Sequence, residues 1–186
     1  NVEYVCDVPN IRIINYKKRF NCIFDKLLFG FANAKNDYVY RLDDDDLLSE
    51  NMLRLCQQVI SANPGYDLYR SKQIQFFNSD SYMGLSGSVN NRNIFTKKYV
   101  STLERKKLSA NEDMYMVYDA KPKTYTFDFP SMIYRWGMGT YHISGMGNTD
   151  PERVNKLTDE FNEMEKGVIK IKPAFKKNYY NIVRGT

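Results

Sequence analysis

Tyr38-Val39-Tyr40-Arg41-Leu42-Asp43-Asp44-Asp45-Asp46-Leu47-Leu48 is the stretch on which the fold turns. It opens with β-branched and aromatic residues, as a buried strand does, and closes with four consecutive carboxylates and a Leu pair. Four adjacent anions repel one another, so a fold that sets them at a strand end needs compensating positive charge. Mg²⁺ and Mn²⁺ prefer hard oxygen ligands, take few protein carboxylates and complete their shells with phosphate oxygens and water. The stretch therefore reads as a strand that delivers a metal–diphosphate complex to the mouth of a site. An acidic run taken alone is more often a solvated turn capping the next helix. The apolar strand in front of it favours the metal reading, because a solvated turn needs none.

The flanks extend the pattern. Upstream, Phe20, Ile23, Phe24, Leu27, Leu28 and Phe31 recur at three and four, one face of a helix over residues 19–33. Before it, residues 2–7 and 11–15 read as strands separated by Pro9. Downstream, Ser49 is a good N-cap and Glu50 suits the first turn of a helix that carries Met52, Leu53, Leu55, Cys56, Val59 and Ile60. Asn63-Pro64-Gly65 stops it. Strands alternating with helices predict an α/β layered domain with a largely parallel sheet, in which ligands bind beyond the carboxyl ends of the strands. Asp43 to Asp46 occupy that position.

Further on, residues 66–77 are extended, and Gly84-Leu85-Ser86-Gly87-Ser88 is either a close backbone approach to ligand or a flexible turn. A helix is predicted over 94–103 and a short one over 109–118 with Glu112 and Asp113 at its start, then strands over 124–129 and 132–136. A glycine-rich stretch over 137–147 holds His142, the only histidine, and Pro151 can open a last helix.

The chain has 186 residues, 42% of them apolar and 15% aromatic, which excludes disorder and suits one domain or one domain with an appendage. No apolar run approaches the roughly 18 residues of a membrane span. The start, Asn1-Val2-Glu3-Tyr4, is no signal peptide and lacks Met, so a piece of a longer chain is expected. Cys6, Cys22 and Cys56 lie in apolar contexts and read as buried free thiols in a reducing compartment. The net charge of +5 is uneven. Lys166, Lys170, Lys172, Lys176, Lys177 and Arg184 form a basic tail interleaved with Phe175, Tyr179 and Tyr180. It suits a phosphorylated substrate, an anionic membrane surface or a neighbouring domain at least as well as nucleic acid.

There is no phosphate loop ending in Gly-Lys-Ser/Thr, no Gly-x-Ser-x-Gly elbow and no Cys/His pair at zinc or nucleophile spacing. The acids are the stronger lead. A strand ending Leu42-Asp43-Asp44-Asp45-Asp46, then about 65 residues on Asn111-Glu112-Asp113 with Tyr115, then Met132-Ile133-Tyr134-Arg135, resembles the inverting family 2 glycosyltransferases of the GT-A fold. Val2–Asp7 is similar to the second strand of that fold, and Arg19-Phe20-Asn21 to the segment before the helix leading to its acidic strand. Arg41 ahead of Leu42 also resembles a rhamnosyltransferase-like branch. The likeness spans residues 2–145. The strand and helix with which those enzymes begin have no counterpart here, and His142 stands seven residues after Arg135, further than in the relatives.

The resemblance implies a three-layer α/β/α sandwich with a mostly parallel central sheet. It implies a catalytic domain over 1–150, short of the N-terminal part of its nucleotide-binding half, and a C-terminal helix and basic tail over 151–186. It further implies a hexosyltransferase-type enzyme of glycan biosynthesis, cytoplasmic and with peripheral membrane contact through the tail, that uses Mn²⁺ or Mg²⁺. A sugar would pass from a UDP-, GDP- or dTDP-linked donor to a hydroxyl on a glycan or other acceptor. Asp45, Asp43 and His142 would be the metal ligands. Asp7 would read the base, and Asn21, Arg41, Asp43, Asp44 and Arg135 would hold the donor, Arg135 through a phosphate oxygen. Asp113 would be the general base, with Glu112 beside it raising its proton affinity. Two alternatives remain open from the residues: a sugar-nucleotide nucleotidyltransferase, and a non-catalytic nucleotide- or carbohydrate-binding module.

Overall fold

The computed structural model describes residues 3–18, 20–43, 46–78, 81–87, 92–108, 111–136, 152, 168–170 and 178–185. The chain divides into two compact units, Asn1–Arg19 with Gly139–Asn178 and Phe20–Met138 with Tyr179–Thr186. In the first unit β1 (Glu3–Val5) pairs in parallel with β10 (Val168–Lys170), the last strand among the described residues. The strand expected over 11–15 does not form. The side chain of Asn15 takes its place: Oδ1 accepts the Tyr4 N–H at 2.9 Å and Nδ2 donates to the Tyr4 carbonyl at 2.8 Å. An Asn amide carries one donor and one acceptor, so it mimics a ladder residue without a strand behind it.

The second unit contains two four-stranded sheets. Helix α1 (Ile23–Asn33) leads into β2 (Tyr38–Tyr40), then β3 (Leu47–Leu48) and helix α2 (Met52–Ala62). Strands β4 (Leu68–Ser71), β5 (Ile74–Asn78), β6 (Ser81–Ser86) and β7 (Asn93–Thr96) follow. After helix α3 (Lys97–Ser101) come a short helix α4 (Glu112–Met114), a π turn (Tyr115–Asp119), β8 (Thr124–Phe127) and β9 (Met132–Trp136). Helix α5 (Tyr179–Arg184) closes the described chain.

The first sheet has the order β2-β7-β4-β8 and the second β3-β9-β5-β6. The architecture is mixed α/β. The mostly parallel pairing expected from the sequence is not what forms: in each sheet two of the three ladders are antiparallel. The reason lies in residues 93–96, of which 94–96 belonged to the helix expected over 94–103. Asn93-Ile94-Phe95-Thr96 is a strand that runs back between β2 and β4. Its β-branched and aromatic side chains suit a pleated surface, and Ile94 and Phe95 enter the cores on opposite faces. Strands β2, β4 and β8 share one direction, because β2 and β4 both oppose β7 and β8 follows β4. Likewise 84–86, read as a turn or a ligand approach, completes β6.

Both faces of the first sheet are covered. Phe24 and Phe31 of α1, Tyr99 and Val100 of α3, and Tyr115, Met116 and Val117 of the π turn pack with Leu68 and Phe95 on one face. Met52 and Cys56 of α2 pack with Tyr69, Ile94 and Phe127 on the other. Most of the apolar positions predicted over 19–33 and 52–60 do turn inward, but Ile23 and Leu53 are exposed; α2 is capped by Asn51 in left-handed geometry, and the expected cap, Ser49, is buried ahead of it. In the second sheet Leu47, Phe77 and Ile133 pack against Tyr179 of α5. Among the described residues no helix is long and apolar enough to cross a membrane.

Phe77 is fully buried and meets the Tyr179 ring edge-on at 5.3 Å. Phe77→Ala should destabilise the unit by about 3–5 kcal/mol in urea unfolding. Leu53→Ala, at a side chain 68% exposed, should stay within about 0.5 kcal/mol of wild type. Equal costs at the two positions would contradict this packing. Burial also pushes the Cys56 thiol up to about 12. The unfolded thiol ionises first, near about 8.5, so Cys56 removes stability only as pH rises above that value and removes no more beyond about 12. Thiol titration at pH 8 should count Cys56 only after denaturation; rapid labelling of the native protein at Cys56 would be the contrary result.

Candidate functional site

The ladders set one edge of the first sheet. Tyr40 of β2 lies opposite Ile94, Arg70 of β4 opposite Asn93, and Ser71 of β4 beside Phe127 of β8. The carboxyl ends of β2, β4 and β8 and the start of β7 thus share an edge, and the chemistry-bearing residues gather there.

Arg41 is the first residue beyond β2. Its Nε and Nη2 lie 3.3 and 3.2 Å from Asp43 Oδ1, and its Nη1 lies 3.0 Å from Glu112 Oε1. The three side chains are 16%, 36% and 9% exposed in the order Arg41, Asp43, Glu112. A part-buried guanidinium between two carboxylates makes charge-assisted hydrogen bonds that are only partly screened by solvent. It joins the acidic strand end to the Asn-Glu-Asp turn, two stretches far apart in sequence.

Glu112 is aimed by its own turn. Asn111 adopts the left-handed conformation at φ 61°, and α4 starts directly after it. The π turn that follows is anchored in the core: Tyr99 donates its hydroxyl to the Met116 carbonyl at 2.6 Å, and Tyr115 donates to Glu104 at 3.1 Å. Such turns recur at functional sites, because the inserted residue breaks the helical register. Asp113 is half-buried on this rim, with Oδ1 accepting the Met114 N–H at 2.8 Å. Glu112, expected to act on Asp113 by like-charge repulsion, has its own charge offset by Arg41.

Of the acidic run, Asp46 is turned inward. It is 4% exposed, and its Oδ1 accepts the backbone N–H of Arg135 at 3.1 Å, tying the acidic loop to β9. The Arg135 guanidinium lies over the Tyr179 ring at 5.2 Å and donates to its hydroxyl at 3.3 Å. Arg135, half-buried at the end of β9, is thus in contact with Tyr179 of α5. Asn21 is exposed one residue before the N-cap of α1, and Asp7 is exposed in the first unit. Asp44, Asp45 and His142 lie outside the described residues.

Sequence reasoning missed Tyr40, Ser131, Arg70 and Arg92. Tyr40 donates its hydroxyl to Ser131 at 3.1 Å, and burial raises its pKa well above the usual phenol range, so it stays a donor. Arg70 lies over the Tyr118 ring at 4.9 Å, and Arg92 is 7% exposed at the head of β7. No residue spacing marked them; the strand identity of 93–96 was the missing signal.

Carboxylate oxygens at the sheet edge are the donor type that a hard divalent cation takes, and Asp43 is the more solvent-accessible of the two held by Arg41. Among the described residues no group of three or more His, Cys, Asp or Glu is gathered to hold a metal ion. No protein-family profile matches the chain, and no curated protein matches it.

Arg41→Met should cost about 3 kcal/mol in urea unfolding, because it leaves Glu112 buried without its counter-charge. Adding Glu112→Gln should recover a large part of that loss. Additivity of the two changes within about 0.5 kcal/mol would remove the pair from the site's framework.

Proposed function

We propose that the chain is the catalytic domain of a metal-dependent inverting glycosyltransferase, cytoplasmic and in peripheral contact with membrane, that moves a sugar from a nucleoside-diphosphate donor to a hydroxyl acceptor. The observation that carries the proposal is Arg41, bonded to both Asp43 and Glu112. The acidic strand end and the Asn-Glu-Asp turn, which the resemblance requires to work together, share one ion network at the carboxyl edge of a sheet. Helices on both faces of that sheet, and the common direction of β2, β4 and β8, support a GT-A-like layered arrangement.

In this reading Asp113 takes the proton from the acceptor hydroxyl as its oxygen attacks the anomeric carbon, and the diphosphate departs from the opposite face. Inversion follows from that geometry. Asp45 and Asp43, with His142, would hold Mn²⁺ or Mg²⁺; the ion, when bound, offsets charge on the departing diphosphate. Arg41 fixes the Asp43 carboxylate and holds Glu112 so that the turn carrying Asp113 keeps one orientation. Tyr40 and Ser131 brace the end of β2 from beneath.

Calorimetry with a panel of nucleoside diphosphates and nucleotide sugars, with and without Mn²⁺, tests this. One nucleotide should bind in a Mn²⁺-dependent way, and Asp45→Asn should weaken it about tenfold or more. Asp113→Asn should spare donor binding yet lower transfer by about 10² to 10⁴. Donor affinity unchanged in Asp45→Asn, or lost in Asp113→Asn, would sink the respective assignment.

A further inference from the structure

We infer that Arg92, with Arg70 beside it, forms an oxyanion subsite that receives a phosphate or carboxylate group carried by the acceptor. The subsite stands on its own geometry; its assignment to the acceptor rests on the glycosyltransferase reading.

Arg92 is 93% buried at the head of β7, and its Nε and Nη1 are shielded from solvent with no hydrogen-bond partner among the described residues. Buried polar groups in folded proteins are almost always satisfied, and a buried guanidinium without an acceptor is costly. Among the described residues the groups that bear on its charge are Arg70, Tyr118 and Tyr40, none of them a carboxylate. Burial first, and then Arg70, push its pKa below the usual guanidinium value, the opposite of what a resident counter-ion would do. A planar fork of N–H donors is matched by the oxygens of a phosphate or carboxylate, which accept two bonds at once.

Two further observations place the ligand. Gly87, at the end of β6, packs beside the guanidinium: a Cβ there would lie 3.6 Å from Arg92 Nη1 and, more tightly, 3.2 Å from the Lys72 carbonyl. Arg70 stands opposite Asn93 in the ladder and lies against Tyr118 of the π turn, which follows directly on Asp113 and Met114. The basic pair is therefore on the side of the turn that carries the proposed base, where the acceptor arrives, whereas the donor's diphosphate is met by the acidic run.

The test is thermal unfolding of the full chain titrated with sodium phosphate against sodium chloride at equal ionic strength. Calorimetry of the same proteins with the nucleoside diphosphate and Mn²⁺ runs beside it. Phosphate should raise the Tm of the wild type. Arg92→Met and Arg70→Met should each weaken that response about tenfold, with nucleotide affinity changed less than twofold. Arg70 is half-buried, so Arg70→Met carries the test if Arg92→Met does not fold. A wild-type Tm indifferent to phosphate, or a phosphate response that survives in the folded variants, overturns the subsite. Nucleotide affinity that falls in parallel with phosphate affinity overturns the acceptor assignment and gives the pair to the donor. Loss of the phosphate response in the variants, with no nucleotide bound by any of the proteins, upholds the subsite and sinks the glycosyltransferase reading instead.

Discussion

A cation one residue past a strand end has to be answered by anions, and Arg41 is answered from two directions. Asp43 comes from its own loop and Glu112 from a turn beyond β7 and α3. An Arg buried to this depth tolerates neither a missing partner nor a displaced one. The 41–43 loop and the 111–113 turn must therefore be set together, and everything that fixes one of them fixes the other. The left-handed Asn111 and the core-anchored π turn hold the far side; the β2 ladder and the Tyr40–Ser131 bond hold the near side.

The same economy governs the two sheets. Strands β4 and β8 lie side by side in the first sheet, and their continuations β5 and β9 lie side by side in the second. The passage between sheets is made by polar groups with no exposure. The Ser71 hydroxyl lies 2.6 Å from the carbonyls of Gln73 and Phe129, and the Ser131 N–H donates to Gln73 at 3.2 Å. Where paired strands leave a ladder their backbone groups lose partners, and buried backbone groups need them. Small hydroxyl side chains supply acceptors and donors without filling the space that two crossing strands require. Ser131 also accepts from Tyr40, so the joint between the sheets lies directly beneath the end of β2.

The helices and their buried faces were legible because a period of 3.6 over eleven residues is a strong local signal. The strands over 38–40, 124–127 and 132–136 were legible from β-branched and aromatic runs. Pairing was not. Whether a ladder is parallel depends on which strand enters between two others, and the four residues of β7 look locally like the start of the helix that follows them. Acidic motifs announce themselves by charge density, so Asp43, Glu112 and Asp113 stand out in the sequence. That density concealed a division of labour: Asp46, in the same run, serves β9 through a backbone N–H rather than facing outward. The basic residues were harder still, because a lone Arg between Asn91 and Asn93 carries no pattern, and its meaning comes only from burial.

Burial also distinguishes scaffold from site among the charged groups at this edge. Glu112 and Arg92 are similarly hidden, at 6% and 7% exposure. Glu112 has its counter-charge within the fold, 3.0 Å away in Arg41, so its burial is self-consistent and calls for nothing from outside. Arg92 has a cation for a neighbour and two unpartnered nitrogens. A fold that can place a carboxylate against Arg41 could have placed one against Arg92, and a substitution at a nearby position would relieve the cost. Carrying that cost instead leaves a preorganised donor set, already stripped of water, for an anion that is not part of the chain. The acids and the bare guanidinium together give the sheet edge opposite polarities a short distance apart.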